Sequence, residues 1–283
     1  MKIVDILKTR ESGVAFEFFP PSTQKSEERL IETVRILKDY QPLYVSMTHG
    51  AGGTDQTKTQ KAVDILLSEG GLAVMPHLTG ISASKSQAEE LLKAYQLKGL
   101  ENIMALRGDP PKEEIGAKVG DFRYAIDLVK FIKERSDLCI GVAVYPEGHI
   151  ETESVEQDLD YTKQKIDSGA DFAVTQMFFD NSYYYSFLDR MKKRAINAPV
   201  LPGILPLTNI AKVKEFASIC RTTIPRQIEE KMEQFKDKPK EMEKVGIDFT
   251  IKQCRDLKSQ GVKYIHFFTL NRPKVMSAIL ESI

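Results

Sequence analysis

Val14-Ala15-Phe16-Glu17-Phe18-Phe19 is an apolar run with one acid inside it, stopped at once by Pro20-Pro21. Seven more short apolar runs follow: Tyr44–Met47, Ala73–Pro76, Ile103–Leu106, Ile140–Val144, Phe172–Thr175, Val200–Leu201 and Tyr264–Phe268, most of them about 30 residues apart. Short bounded runs of this kind read as buried strands. Between them the apolar spacing becomes helical: Leu30, Val34 and Leu37; Ala62, Ile65 and Leu66; Ala88, Leu91, Leu92 and Tyr95; Ile126, Val129, Phe131 and Ile132. Strand–helix alternation builds a parallel sheet of the α/β class, and eight units can close it into a (β/α)8 barrel. Each helix then lays its apolar stripe on the outside of the barrel. Every strand brings its C-terminal end to one rim, so residues distant in sequence converge there.

The strand ends carry chemistry. Glu17, Thr48 with His49, His77, Arg107 with Asp109, Tyr145 with His149, Gln176, and Thr269 with Asn271 and Arg272 all fall at such positions. Helix starts have caps in Ser22 or Thr23, in Ser84, and in Asn181 or Ser182. Gly99, Gly169 and Gly261 follow helical segments where a left-handed cap is expected. The N-terminal stretch Met1–Arg10 reads as a short amphipathic helix, not a signal peptide. From Val200 to Tyr264 the spacing doubles. This interval holds Thr222–Val245 with its charged run Glu229–Lys244, expected as a solvated extra helix pair before the last strand. A lid or an oligomer contact is the alternative.

The 283 residues suit a single barrel domain over 1–283, since such barrels commonly reach this size as one unit. Hydrophobic residues make up 42% and charged residues 28%, as in ordinary globular enzymes. Forty basic and forty acidic residues cancel, which argues against nucleic-acid or membrane-surface partners. Three cysteines without CxxC spacing, Cys139 inside a strand, point to a reduced thiol and a cytoplasmic setting. No run approaches the roughly 20 apolar residues that cross a bilayer.

Strand alternation sends Glu17 to the face opposite Phe16 and Phe18. Near an apolar barrel mouth its carboxyl is expected to have a raised pKa and to serve as a general acid; a salt-bridged structural Glu is the competing reading. Arg107 and Asp109 flank Gly108 ahead of Pro110-Pro111. They make either an ion pair or a site, with Arg107 on phosphate and Asp109 accepting from a heterocycle. His77 and His149 are site candidates, whereas His266, inside a strand, reads as structural. No HxxxH pair or mixed ligand cluster is present, so metal-free chemistry is expected. Neither GxGxxG nor a P-loop occurs; Gly50-Ala51-Gly52-Gly53 reads as a rim loop and Tyr183-Tyr184-Tyr185 as helix packing.

Phe16-Glu17-Phe18-Phe19-Pro20-Pro21, Val45-Ser46-Met47-Thr48-His49-Gly50-Ala51, Pro76-His77-Leu78-Thr79 and Ala105-Leu106-Arg107-Gly108-Asp109 belong to one pattern. Tyr145-Pro146-Glu147-Gly148-His149, Thr175-Gln176-Met177-Phe178-Phe179-Asp180, Pro202-Gly203-Ile204-Leu205-Pro206 and Phe268-Thr269-Leu270-Asn271-Arg272 continue it. Together these blocks, in order over about residues 14 to 280, resemble the catalytic barrel of the bacterial methylenetetrahydrofolate reductase family. The resemblance implies noncovalent FAD and reduction of 5,10-methylenetetrahydrofolate to 5-methyltetrahydrofolate by NADH or NADPH. It implies ping-pong turnover, with both substrates using one flavin face.

By matching position, Glu17 would protonate folate N10 and open the ring to an iminium. Asp109 would sit by flavin and pterin, and Thr48 and Gln176 would touch folate or nicotinamide. Phe216 would stack on either ligand and Arg272 would lie near the substrate. For FAD the resemblance implies His77, Leu106, Arg107, Gly108, Asp109, Tyr124, Ala125, Ala143, Tyr145, His149, Asp158 and Lys165. Lys212 departs from the pattern, standing where enteric-type members place a substrate-binding Gln, which puts nicotinamide contact in doubt. With the sequence ending soon after the last strand, the catalytic barrel is expected without the C-terminal regulatory domain of animal-type members. Small-molecule substrates are the expected partners, in a homo-oligomer whose size the sequence leaves open. A pterin-binding transferase without flavin and a binding scaffold that has lost catalysis are the competing readings.

Overall fold

Successive residues of a strand face opposite ways, and in this chain each face has its own cluster. Phe16, Phe18, Val45, Met47, Val74, Leu78, Ile103, Ala105, Ile140, Val142, Ala173, Ile265 and Phe267 turn outward against the helices. Ala15, Tyr44, Met75, Met104, Cys139, Phe172, Val174 and Leu201 turn inward. The second set fills the inside of a barrel, which is a packed core and not a pore. The computed structural model describes residues 1–49, 56–108 and 120–283.

The strands are β1 (Gly13–Phe18), β2 (Val45–Met47), β3 (Val74–Thr79), β4 (Asn102–Leu106), β5 (Cys139–Val144), β6 (Phe172–Thr175), β7 (Val200–Leu201), β8 (Gly203–Ile204) and β9 (Tyr264–Phe268). All pairings are parallel, in the order β7-β6-β5-β4-β3-β2-β1-β9-β8. The seventh apolar run, Val200–Leu201, is β7, and a further short strand, β8, follows it directly after Pro202. Pro202 lacks the N–H that would continue a ladder, so β7 pairs with β6 while β8 pairs with β9. Its carbonyl still accepts from His266 N at 3.0 Å, so the run bridges the two ends of the sheet and nearly closes a (β/α)8 barrel. A Cβ on Gly203 would overlap the Thr175 carbonyl oxygen, so only glycine lets this crossing come so close.

Helices alternate with the strands as the stripes predict: α2 (Gln24–Lys38), α3 (Gln56–Ser68), α4 (Lys85–Leu97), α5 (Ala125–Arg135), α6 (Val155–Asp167) and α7 (Asn181–Lys193). Thr23 and Ser84 cap α2 and α4 in reciprocal capping boxes with Ser26 and Gln87. For α7 the cap is Asp180, one residue before the expected pair; its carboxylate accepts from Ser182 N at 2.9 Å. Ile126 is only partly buried, and Leu128 takes its place in the α5 stripe. Gly99, Gly169 and Gly261 adopt φ of 75°, 111° and 82° as expected of left-handed caps.

The N-terminal helix α1 (Ile3–Thr9) closes the bottom of the barrel. Ile3, Ile6 and Leu7 join the inward cluster, and the Tyr264 hydroxyl donates to the carbonyls of Leu7 and Arg10 at 2.6 and 2.7 Å. Between β8 and β9 come α8 (Ile210–Cys220), α9 (Arg226–Glu233) and α10 (Pro239–Ser259), followed after β9 by α11 (Pro273–Leu280). The charged insertion is therefore half-packed and not fully solvated. Ile228, Met232 and Met242 form a separate cluster with Leu205, Leu207, Ile210 and Val213, while Lys214 bridges Glu229 and Glu233 on the outer side. Among the described residues no helix is long and apolar enough to cross a membrane.

Candidate active site

A cavity of about 310 Å³ opens at the C-terminal rim. Its wall takes Glu17 from β1, Thr48 and His49 after β2, His77 and Thr79 from β3, and Leu106, Arg107 and Gly108 from the end of β4. Ala143, Tyr145 and His149 follow from β5 and its loop, Thr175 and Gln176 from β6, and Phe268 from β9. Nine of the residues implied as cofactor- or substrate-contacting thereby line one cavity with Glu17: Thr48, His77, Leu106, Arg107, Gly108, Ala143, Tyr145, His149 and Gln176.

Glu17 lies on the floor, its side chain 15% exposed. The alternation argument holds: Phe16 and Phe18 face the helices, and Glu17 faces inward with Ala15. What surrounds it differs from the expectation. His266 Nε2 is 3.2 Å and His77 Nε2 3.3 Å from Glu17 Oε2, and the Ser46 hydroxyl donates at 3.5 Å. Burial pushes the Glu17 carboxyl up, but the charge of His77 and the hydrogen bonds and charge of His266 outweigh it, leaving the carboxyl at about 2. The expected raised value is reversed because the near neighbours are imidazoles, not phenyl rings.

The carboxylate is thus the resting form of Glu17. The backbone fixes the geometry. Thr269 donates to the Glu17 carbonyl from both N, at 3.1 Å, and Oγ1, at 2.7 Å, while Asn271 bonds Phe19 N and O.

The shift sets a pH window. A carboxyl held lower in the fold than in the unfolded chain stabilises above its unfolded pKa of about 4.5, and that contribution is lost as pH falls toward 2. Glu147 and Asp158, both raised first by burial, act in the opposite sense over the acid range. Comparing wild type with Glu17→Gln isolates the first effect. Urea denaturation is expected to show the stability gap shrinking by about 3 kcal/mol between pH 6 and pH 2.5. A gap independent of pH would mean that Glu17 is not held ionised.

His266, read from sequence as structural, is fully buried beneath the cavity and hydrogen-bonded to Tyr44 and Glu17, and does not itself line the cavity. The signal was in the register: His266 pairs with Ala15, two residues before Glu17 on the same inward face. His49 also lines the cavity, its pKa lowered by burial, with Nδ1 buried and without a hydrogen-bond partner. Tyr145 and His149 meet edge-on at 4.7 Å. Arg107 is paired with Glu151, one guanidinium nitrogen at 2.8 Å, and this pairing lowers the Glu151 carboxyl. Gly108 has φ 84°, and a Cβ there would press on Thr79, so the cavity edge depends on glycine.

Lys165 and Asp158 lie just behind the wall on α6, both buried. Lys165 Nζ donates to the Ala143 carbonyl at 2.6 Å and sits 5.8 Å from the Tyr145 ring. Asp158 Oδ2 has no hydrogen-bond partner. Tyr124 and Ala125 stand at the start of α5, away from the cavity wall. Phe216 is 37% exposed on α8, Lys212 is exposed in its first turn, and Arg272 pairs with Glu243 of α10; none lines the cavity. Asp109 and the Gly50–Gly53 stretch lie outside the described residues.

The profile of the methylenetetrahydrofolate reductase family matches residues 2–283. The chain belongs to that family. A Pectobacterium carotovorum 5,10-methylenetetrahydrofolate reductase is 38% identical over 271 residues, covering 96% of this chain and 90% of the relative. The Escherichia coli K12 protein of the same name is 36% identical with the same coverage. An Arabidopsis thaliana relative, methylenetetrahydrofolate reductase (NADH) 1, is 32% identical and is spanned over 51% of its length. Among solved structures, a Clostridium thermocellum protein described as binding two copies of 5-methyl-5,6,7,8-tetrahydrofolic acid superposes with a TM-score of 0.69. It shares 14% identity, covering 98% of this chain and 96% of that one, and so supports the barrel fold alone. The family and its named members are those of methylenetetrahydrofolate reduction, an oxidoreductase activity.

Proposed function

We propose that this protein reduces 5,10-methylenetetrahydrofolate to 5-methyltetrahydrofolate with NAD(P)H, in two half-reactions that use one cavity and a noncovalently bound FAD. The observation that carries the reading is Glu17, the one carboxylate among the described residues that line the cavity, set between two imidazoles. The residues present fit the flavin. Among the described residues, His49 Nδ1 and Asp158 Oδ2 are buried polar atoms without hydrogen-bond partners, left for a polar ligand to satisfy. His77, Leu106, Arg107, Gly108, Ala143, Tyr145 and His149 would hold it, with Lys165 and Asp158 behind them. Bound FAD would accept hydride from the nicotinamide and pass it to the folate's one-carbon unit.

The chain's own part is proton transfer and positioning. Folate N10 must gain a proton as its bond to the methylene carbon breaks. Glu17, ionised at rest, first takes up a proton from the solvent side of the cavity through His77 Nε2 at 3.3 Å, and Oε2 then passes that proton to N10. Thr48 and Gln176 orient the ring system from opposite walls. Gln176 has its Oε1 fixed by Met177 N at 2.9 Å, which leaves its amide N–H groups for ligand. Asp109, next in the chain to Gly108, is proposed to hold the pterin. The small-molecule partners imply a cytoplasmic enzyme built on one barrel domain.

Anaerobic stopped-flow of the flavin-loaded protein tests the reading. Bleaching of the flavin band by NADH or NADPH, then recovery on adding methylenetetrahydrofolate, is expected. The plant relative's name makes NADH the donor to try first. A preparation that takes up no flavin, or whose reduced flavin ignores the folate, would overturn it.

A further inference from the structure

Tyr44 and His266 are sealed beneath Glu17, each 0% exposed. Their rings stack at 5.7 Å with 26° between planes. The Tyr44 hydroxyl is 3.0 Å from His266 Nδ1, and His266 Nε2 is 3.2 Å from Glu17 Oε2. Among the described residues, His266 Nδ1 is the hydroxyl's only hydrogen-bond partner. If the hydroxyl accepted from Nδ1–H, its own proton would be buried without an acceptor, on the side where Phe172 packs. Donating to Nδ1 satisfies it and leaves the imidazole's single proton on Nε2. That proton faces Glu17.

We propose that Tyr44 is a positioning residue that holds His266 in its Nε2–H tautomer, so that His266 donates to Glu17 and does not take a proton from it. The inference rests on Glu17 being the proton donor of the proposed reaction. It divides the carboxylate's surroundings into a blind side and a working side. The blind side, Tyr44 and His266, fixes the orientation and favours the ionised form but has no route to solvent. The proton that N10 gains, while the electron pair of the broken N10–carbon bond stays on nitrogen, is therefore replaced through His77 at the cavity wall.

The titratable groups facing this pair are few: Glu17 from β1, His77 from β3 and Cys139 from β5, with the Ser46 hydroxyl from β2. Burial pushes the Cys139 thiol to about 11, and burial, with Glu17 and Cys139, pushes Tyr44 well above its usual range. Neither ionises in the working range, so the position of the imidazole proton is the variable.

The chain has four histidines, His49, His77, His149 and His266, so long-range proton–nitrogen spectra of histidine-labelled protein resolve each tautomer. Loss of one signal set in His266→Gln assigns it. Wild type is expected to show His266 with Nε2 protonated and Nδ1 bare. In Tyr44→Phe, His266 is expected to become a tautomer mixture able to accept from a protonated Glu17. The alkaline limb of folate reduction then moves up by about one pH unit, with flavin reduction unchanged. A packing defect would slow turnover without moving either the tautomer or the limb.

An Nδ1–H tautomer in wild type would overturn the proposal even if Tyr44→Phe failed to fold. So would an unchanged His266 tautomer in a folded Tyr44→Phe. Undiminished folate reduction by Glu17→Gln would instead sink the general-acid reading, and would leave the tautomer result standing.

Discussion

Glu17→Gln is expected to leave flavin reduction by the nicotinamide nucleotide intact while slowing reoxidation by methylenetetrahydrofolate about 1000-fold. The substitution keeps the shape of the side chain and its hydrogen bond from His266 Nε2, now to an amide oxygen. What it removes is a group that can gain and lose a proton at the cavity floor. Nicotinamide oxidation needs no proton on a folate nitrogen, so that half-reaction has no use for Glu17. Ring opening does need one, because the amine leaves the methylene carbon far more readily once protonated. Single-turnover absorbance traces of the two half-reactions, recorded separately, give both rates. Equal slowing of both would show that the substitution damaged the cavity itself, and no slowing of either would remove Glu17 from proton transfer.

The barrel was legible because it rests on a period. Apolar runs repeated at unit spacing, with helical stripes between them, leave few other ways to bury both faces of a parallel sheet. The rim residues followed from the same logic, and the cavity does gather Glu17, His77, Arg107, Tyr145, His149 and Gln176 from five different stretches of chain. Other features depended on register, which spacing does not reveal. The split at Pro202 follows from one missing N–H, and whether it would break the run or only edge it is decided by pairing across to β6 and β9.

The electrostatic expectation for Glu17 failed for a related reason. Its sequence neighbours Phe16 and Phe18 predict an apolar environment, but alternation sends them to the opposite face. The residues that touch Glu17 lie 29, 60 and 249 positions away, at Ser46, His77 and His266. His266 was assigned a structural role because a histidine inside a strand usually has one. Nothing in its own surroundings says that Ala15 and Glu17 lie alongside. Ala15, buried on the inward face, is the β1 residue in register with His266.

Lys165→Met should destabilise the fold by about 4 kcal/mol and loosen the flavin. Lys165 is a buried cation on α6 whose Nζ donates to the Ala143 carbonyl of β5, and Ala143 lines the cavity. It is also the counter-charge for Asp158, buried nearby with Oδ2 unpartnered. Burial pushes Lys165 down and Asp158 up, while each one's charge pulls the other back. Removing the cation leaves a buried carboxylate with only the backbone N–H of His149 to offset its lost hydration, the costly half of breaking a buried pair. Asp158 can escape that cost only by taking a proton, so its pKa rises further in the variant.

A raised carboxyl contributes stability below its unfolded pKa and loses it as pH climbs through the folded value. The deficit of Lys165→Met should therefore be largest near neutral pH and shrink on going to pH 5. Lys165→Met with Asp158→Asn removes both charges and should recover about half the loss, since a neutral amide has less to lose by burial. Urea denaturation of the wild type, both single variants and the double variant at two pH values completes the cycle. Additive effects at pH 7 would show that the two side chains do not act as a pair, and that the loss in Lys165→Met comes from its hydrogen bond to the Ala143 carbonyl and not from Asp158.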